Sequence, residues 1–345
     1  MSDTVVVTGG AGFIGSHACK ALAQAGFSPV TYDNLSRGPR EAVLYGPLEV
    51  GDIGDVDRLT AVLRDYDPCA VMHFAAYAHV GKSVCDPLLY YRNNVSGSVG
   101  LLEAMRDAGV TNLVFSSTCA VYGVPQRVPI TEGHPQAPIN PYGASKQMME
   151  RIIADCEPAW GLRAVVLRYF NAAGADPDGD LGENHDPEPH LIPNVLDAAL
   201  GRKDGLTVNG ADYPTPDGTC IRDYIHVSDL AQAHILALKH LLSDGTSMAL
   251  NLGNGNGYSV REVMEAAERV TGLPIPWQVG PRRPGDPPSL VGDATQARRI
   301  LGWTPERGGL DVQIADAWRR RLRELQAPRD VGVAVGETPP ARKTA

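Results

Sequence analysis

The apolar positions in the first half of the chain change period at regular intervals. "TVVV" at 4–7 is a short β-branched run and reads as a buried strand. In "FIGSHACKALAQAG" that follows, Ile14, Ala18, Leu22 and Ala25 fall near helical spacing, and Gly26 is a stop. "SPVTYD" predicts a second strand, "VDRLTAVLRDY" a helix, "AVMHFAA" a buried strand and "SVGLLEAMRDAG" another helix. "NLVFSS", "PYGASKQMMERIIADC" and "RAVVLRYF" continue as strand, helix and strand. Such alternation predicts an α/β fold, a parallel sheet with helices on both faces.

After Asn171 the texture changes. "NAAGADPDGDLGENHDPEPH" is rich in Gly, Pro and acids and reads as a long functional loop. Helical and strand segments return later with irregular spacing. The expected organisation is a first domain over 1–170, with a return segment near 224–250, and a smaller α/β substrate-binding domain mainly over 171–327. Residues 328–345 read as a disordered tail. No internal repeat is present.

Composition narrows the function classes. The 345 residues are 43% apolar, which suits a soluble protein with a sizeable core. A net charge of -9 argues against general nucleic-acid binding and against an anionic membrane surface. The six cysteines are scattered without a Cys-x-x-Cys pair, so neither a zinc ribbon nor a disulfide framework is expected. No metal is expected. The N-terminus carries no signal-like stretch, and no run of about 18 apolar residues occurs. A reduced, cytoplasmic protein is the resulting expectation.

"VVVTGGAGFIGSH" supplies the first chemistry. Gly10, Gly12 and Gly15 form G-x-G-x-x-G, and Gly9, Gly12 and Gly15 form G-x-x-G-x-x-G. The motif follows a strand and opens a helix, so the backbone can approach a pyrophosphate at a helix N-terminus. Asp33 ends the second strand 18 residues after Gly15. Its carboxylate suits ribose hydroxyls and would repel a 2′-phosphate, which favours NAD over NADP. Arg37 nearby could tolerate NADP, but as a lone loop residue it reads as solvated. The fold is therefore expected to be a Rossmann-type doubly wound sheet. "GDI" at 51–53 is placed at the end of the third strand with Asp52 near the adenine. "HFAA" at 73–76 is placed at the end of the fourth, beside the pyrophosphate.

"NPYGASK" raises the second question. Asn140 and Pro141 read as N-cap and first helical residue, and Tyr142 and Lys146 then share one helical face. Tyr-x-x-x-Lys is common on surface helices, but behind the glycine motif it reads as a hydride-transfer pair. Lowering a tyrosine pKa from about 10 to about 7 requires roughly 4 kcal/mol. A cation about 6 Å away at an effective dielectric near 20 supplies roughly 3 kcal/mol. The oxidised nicotinamide ring carries a second positive charge that would complete the shift. In "FSSTCAVYG", Ser116, Ser117 or Thr118 could present a hydroxyl beside Tyr142 to relay the substrate proton.

With these motifs the chain resembles the extended short-chain dehydrogenase/reductase superfamily, and within it the nucleotide-sugar 4-epimerases. The resemblance covers about residues 4–320 and includes "DNLSRG", "LRYFNAAGA", "DGTCIRDYIHVSDLA", "NLGNG" and "RRPGD". It implies catalytic Thr118, Tyr142 and Lys146. It implies NAD contacts at Gly9, Gly12, Phe13, Ile14, Gly15, Asp33 and Asn34. Further NAD contacts are implied at Asp52, Ile53, Phe74, Ala75, Ala76, Asn93, Ser116, Tyr142, Lys146 and Tyr169. It implies UDP-sugar contacts at Thr118, Tyr142, Asn171, Asn209, Arg222, Arg283, Asp286 and Leu290, the two arginines meeting a diphosphate. It also implies a homodimer through the helices near 91–108 and 144–157.

Three positions depart from the family pattern. Lys82 stands where glutamate is frequent. Asn209 stands where many members place an aromatic near the uracil, and Leu290 where some place a tyrosine near the sugar. Dehydratases of the same fold carry an Asp-Glu directly after the catalytic threonine, whereas here Thr118 is followed by Cys119 and Ala120. The implied activity is therefore interconversion of UDP-glucose and UDP-galactose through a 4-keto intermediate with bound NAD. UDP-xylose/UDP-arabinose or UDP-N-acetylhexosamine epimerisation is the alternative. A 4,6-dehydratase and a non-catalytic NAD-binding regulator stand behind these.

Overall fold

The computed structural model describes residues 3–185, 187–283 and 285–326; the tail expected over 328–345 lies outside them. In chain order the strands are β1 (Thr4–Thr8), β2 (Ser28–Asp33), β3 (Leu48–Val50), β4 (Ala70–His73), β5 (Asn112–Thr118) and β6 (Arg163–Tyr169). They continue with β7 (Asn171–Ala173), β8 (Leu206–Asn209), β9 (Ile221–His226), β10 (Met248–Leu252), β11 (Gly257–Ser259), β12 (Trp277–Gly280) and β13 (Ser289–Leu290). Seven of them form one parallel sheet in the order β10-β6-β5-β4-β1-β2-β3. This is the doubly wound sheet that the alternating pattern predicted.

The period-2 geometry of β1 explains the layers. Val5 and Val7 face Leu22 of the helix Phe13–Gln24 and Leu238 of the helix Val227–Leu242. Val6 faces the opposite layer, with Leu59, Leu101, Met105 and Met149 from the helices Val56–Tyr66, Ser98–Ala108 and Pro141–Trp160. A strand buried on both faces needs a continuous apolar run, which is why "TVVV" shows no alternation. The third strand ends at Val50 rather than at 53, so Gly51–Ile53 belong to the loop after it.

The order reverses between β1 and β4, since the chain runs outward from β1 through β2 to β3 and returns to β4. Ligands of doubly wound sheets lie in the crevice at such a switch point. After β6 the chain passes through Phe170 into β7, which pairs with β9 in a second, four-stranded sheet with β11 and β13. A third core gathers Ile192, Val195, Leu196, Val263, Met264 and Ile314 from the later helices. Lys20, on the helix Phe13–Gln24, donates to both oxygens of Asp176 (2.8 and 2.7 Å) and to Asp178 (2.7 Å). That buried ammonium ties the acidic loop to the dinucleotide side. Among the described residues no helix is long and apolar enough to cross a membrane.

Candidate active site

One cavity of about 630 Å³ opens between the two sheets, within the range usual for small-molecule sites. Its first wall is the glycine turn. Gly9 adopts φ +74, and a Cβ there would collide with the backbone of Ala75. A Cβ on Gly15 would collide with the carbonyl of Gly9. The helix Phe13–Gln24 starts at Gly12, which offers no side-chain cap. Its first-turn N–H groups therefore have neither an intrahelical acceptor nor a capping oxygen, and the cavity lies over them. This cradle suits a pyrophosphate, so the residues present fit a dinucleotide.

Asp33 closes the turn from behind. Its carboxylate accepts from Ala11 N (3.0 Å) and Leu35 N (2.8 Å), while burial raises its pKa. Of the expected cofactor residues, Gly9, Gly12, Phe13, Ile14, Gly15, Phe74, Ala76, Ser116, Tyr142, Lys146 and Tyr169 line the cavity. Asp33, Asn34, Asp52, Ile53, Ala75 and Asn93 stand behind or beside that wall. Asn34 donates to Asp52 (2.7 Å), Asn93 donates to Asn94 (2.9 Å), and Ile53 is buried beneath Gly97 and Gly100.

The floor comes from β5 and the helix Pro141–Trp160. Asn140 caps that helix by accepting from Gly143 N at 2.8 Å, with Pro141 in its first turn. This start fixes the helical phase, and Tyr142 and Lys146 are both buried on the face turned to β5. Lys146 Nζ donates to the Ser116 carbonyl at 2.8 Å and lies 4.9 Å from the centre of the Phe115 ring. Thr118 ends β5, paired in register with Tyr169, and both line the cavity. The Ser116 hydroxyl and the Tyr169 phenol are in direct hydrogen bond.

The electrostatics differ from the expectation built on one lysine and one tyrosine. Burial pushes the Tyr142 phenol above its ordinary range, and its hydrogen bond with Thr118 opposes this only in part. Burial lowers Lys146 to about 7, against the attraction of Glu150. A charge count omits desolvation, and here desolvation is the largest effect on both groups. His73, at the end of β4 beside β5, falls to about 3 through burial and the neighbouring lysine.

The opposite wall holds polar groups from the second sheet, from β8 of a separate two-stranded sheet with β12, and from the loop before β13. Asn171, Asn209, Arg222, Arg283, Asp286 and Leu290 all line the cavity. Arg222 is buried, donates to the Ile221 carbonyl at 2.7 Å and pairs with Asp286. Arg283 is exposed at the rim. Leu290 also packs on the small cluster of Cys119, Val121, Tyr122, Ile130 and Phe170. Lys82, the third departure, has no place in the lining.

Several lining residues escaped the sequence reading: His79, Asn184, His185, His190 and Lys203. They lie in loops or at element ends without periodicity, and only tertiary contacts bring them to the cavity.

The model of the NAD dependent epimerase/dehydratase family matches residues 5–253. A UDP-glucose 4-epimerase of Rhizobium leguminosarum bv. trifolii is 53% identical over 316 residues, 92% of this chain and 96% of the relative. The crystal structure of UDP-glucose 4-epimerase from Brucella ovis, in complex with NAD, superposes with a TM-score of 0.89 at 55% identity, covering 91% of this chain and 97% of that one. The Bifidobacterium longum UDP-glucose 4-epimerase, in complex with NAD+ and UDP, gives 0.90 at 38% identity, with 93% and 99% covered.

Proposed function

The chain belongs to the NAD dependent epimerase/dehydratase family, and from that membership we propose that it is a UDP-sugar 4-epimerase interconverting UDP-glucose and UDP-galactose with bound NAD. One observation carries the reading. Thr118, Tyr142 and Lys146 meet at the floor of a single cavity whose walls are the glycine cradle and the Arg222–Asp286 pair.

In this reading Tyr142 takes the proton of the sugar 4-hydroxyl, with the Thr118 hydroxyl in the same hydrogen-bonded chain. Lys146 is anchored on Ser116 and biases the phenol toward release of its proton. When bound, NAD supplies a reversible hydride acceptor for C4 and a positive charge that favours a phenolate. Arg222 and Arg283 hold the diphosphate while the oxidised sugar turns and presents its other face. Cys119 and Ala120 after Thr118 offer no acid for elimination, which sets the chain apart from a dehydratase.

We assign the dinucleotide role to 1–170 with the return segment near 224–250, and the nucleotide-sugar role mainly to 171–327. We also infer a cytoplasmic homodimer. Val84, Leu88 and Met148 support the dimer, being apolar, exposed and carried by helices that pack on one another. A second reading, epimerisation of UDP-N-acetylhexosamines, is favoured by the smaller Leu290 in the lining; UDP-xylose/UDP-arabinose is the further alternative.

The test is conversion of UDP-galactose in D₂O followed by NMR, with UDP-N-acetylglucosamine and UDP-xylose in parallel. UDP-glucose free of deuterium at C4 and C5 is expected. Deuterium at either carbon, or no conversion of any of the three, would overturn the proposal.

A further inference from the structure

The acidic loop carries the pattern Glu183-x-His185-x-x-Glu188-x-His190. It contains no cysteine and matches none of the usual zinc spacings, so the sequence reading passed over it. The fold nevertheless brings one ligand atom from each of the four side chains within 4.8 Å of the others. His185 Nδ1 lies 3.1 Å from Glu183 Oε1 and 3.7 Å from Glu188 Oε1, and His190 Nδ1 lies 3.4 Å from Glu188 Oε1. His190 Nδ1 also abuts Glu183 Oε1. Metal–ligand bonds of about 2.0–2.2 Å in a tetrahedron give ligand–ligand edges of about 3.3–3.6 Å. The observed separations bracket that value.

A second observation points the same way. Glu183 is only 7% exposed, and its Oε1, like His185 Nδ1 and His190 Nδ1, makes no hydrogen bond of proper geometry. The four groups converge as close imidazole–carboxylate contacts without well-aligned hydrogen bonds, at a depth where a charge must be compensated. The surrounding contacts orient them as an outer shell does. Glu188 Oε1 accepts from His190 N at 2.9 Å, and its Oε2 faces Arg321 at 3.9 Å. The neighbouring acids Asp176, Asp178 and Asp180 contrast with this set, because the Lys20 ammonium already sits among them.

We propose that Glu183, His185, Glu188 and His190 form a binding site for one divalent first-row cation, Zn²⁺ in tetrahedral N₂O₂ coordination. Two imidazoles suit zinc, and two carboxylates balance its charge. All four positions are filled by protein, which makes the site structural, without an open position for catalysis. His185 and His190 also line the active-site cavity. The ion therefore pins the wall that carries them and joins it to the helix Leu310–Gln326 through Arg321.

The test uses the full-length protein with its cofactor, stripped with chelator and titrated with Co²⁺ and then Zn²⁺. One equivalent of Co²⁺ per chain is expected, with the intense visible bands of tetrahedral cobalt, bleached by Zn²⁺. Zn²⁺ should also raise the melting temperature. Glu183→Gln and His190→Asn should weaken binding at least about a hundredfold, since losing even an outer-shell partner costs about 10–100-fold. Circular dichroism and NAD content check that both variants fold. Should either fail to fold, ¹⁵N-histidine NMR of the native protein decides, because Zn²⁺ must shift Nδ1 of two histidines. A folded native protein without tetrahedral cobalt bands, bands undiminished in the folded variants, or two Nδ1 signals unmoved by Zn²⁺ would each overturn the site in favour of a metal-free imidazolium–carboxylate cluster.

Discussion

Lys146 Nζ donates to the main-chain carbonyl of Ser116 at 2.8 Å, so the lysine on the helix Pro141–Trp160 is fixed to the strand that carries Thr118. The bond sets the distance between helix and strand at the floor of the cavity. It also holds an amine where water does not reach, with Lys146 only 3% exposed.

The burial of Lys146 makes stability depend on pH. An unfolded lysine keeps its proton up to its ordinary value of 10.5, whereas the folded one releases it near 7. Between these values the unfolded chain binds more protons, so this group's contribution to stability rises with pH. The cost is felt in full below about pH 7 and fades toward pH 10.5. Lys146→Met should therefore stabilise the cofactor-free protein at pH 6 by about 1–4 kcal/mol at most, seen as a higher melting temperature, and progressively less at pH 9. Turnover should be abolished. Calorimetry at the two pH values decides, and an advantage that grows with pH would refute the account.

Tyr142→Phe removes the phenol and keeps the ring. With Tyr142 as the acid–base group, kcat should fall by about 10²–10⁴-fold. NAD content and melting temperature should stay near native, because the glycine cradle is untouched. Near-normal turnover in a variant that retains NAD would remove Tyr142 from its proposed role.

Glu150 is one turn beyond Lys146 and accepts Arg168 Nε at 3.0 Å, Ser117 Oγ at 2.5 Å and Gln136 Nε2 at 2.8 Å. The side chains of Glu150 and Arg168 are both 8% exposed. Glu150→Ala leaves the guanidinium buried and unpaired, and should cost about 3–5 kcal/mol in urea denaturation. Glu150→Leu combined with Arg168→Met should recover most of that loss. Equal instability of the single and double variants would point to packing rather than charge.

Leu290 lines the cavity from β13. If the sugar sits against it, as proposed, a leucine would leave room for an acetamido group at C2. Overpacking a filled site costs about 1–3 kcal/mol, so Leu290→Tyr should lower kcat/KM for UDP-N-acetylglucosamine about tenfold to a hundredfold and spare UDP-glucose. Equal losses on both substrates, or no native activity on the acetylated sugar, would leave Leu290 as a packing residue alone.

The first half of the fold was legible because each of its elements is buried on a definable face. The helix Ser98–Ala108 and the strand Ser28–Asp33 coincide with their sequence patterns. Asn140 and Pro141 announced the start of the helix that carries Tyr142. The second half was less legible, since β7, β11 and β13 are two or three residues long and pair across large sequence gaps. Arg222 and Arg283 could be read as surface charges until β9 and the loop before β13 placed them on one wall. The desolvation acting on Tyr142 and Lys146 was not legible, because a sequence shows nearby charges but not the solvent removed around them.

The return of the chain to its first sheet through the helix Val227–Leu242 and β10 limits how this architecture can be recombined. β10 pairs with β6, and Leu238 covers Val5 and Val7. A graft that exchanges everything after residue 170 exchanges an edge strand and a covering helix of the first sheet as well. A donor segment chosen for its sugar preference would bring its own edge strand and covering helix to a core that did not evolve with them. Specificity is more safely transplanted in two pieces, on either side of a retained 224–252, and the two pieces must be compatible with each other across the cavity.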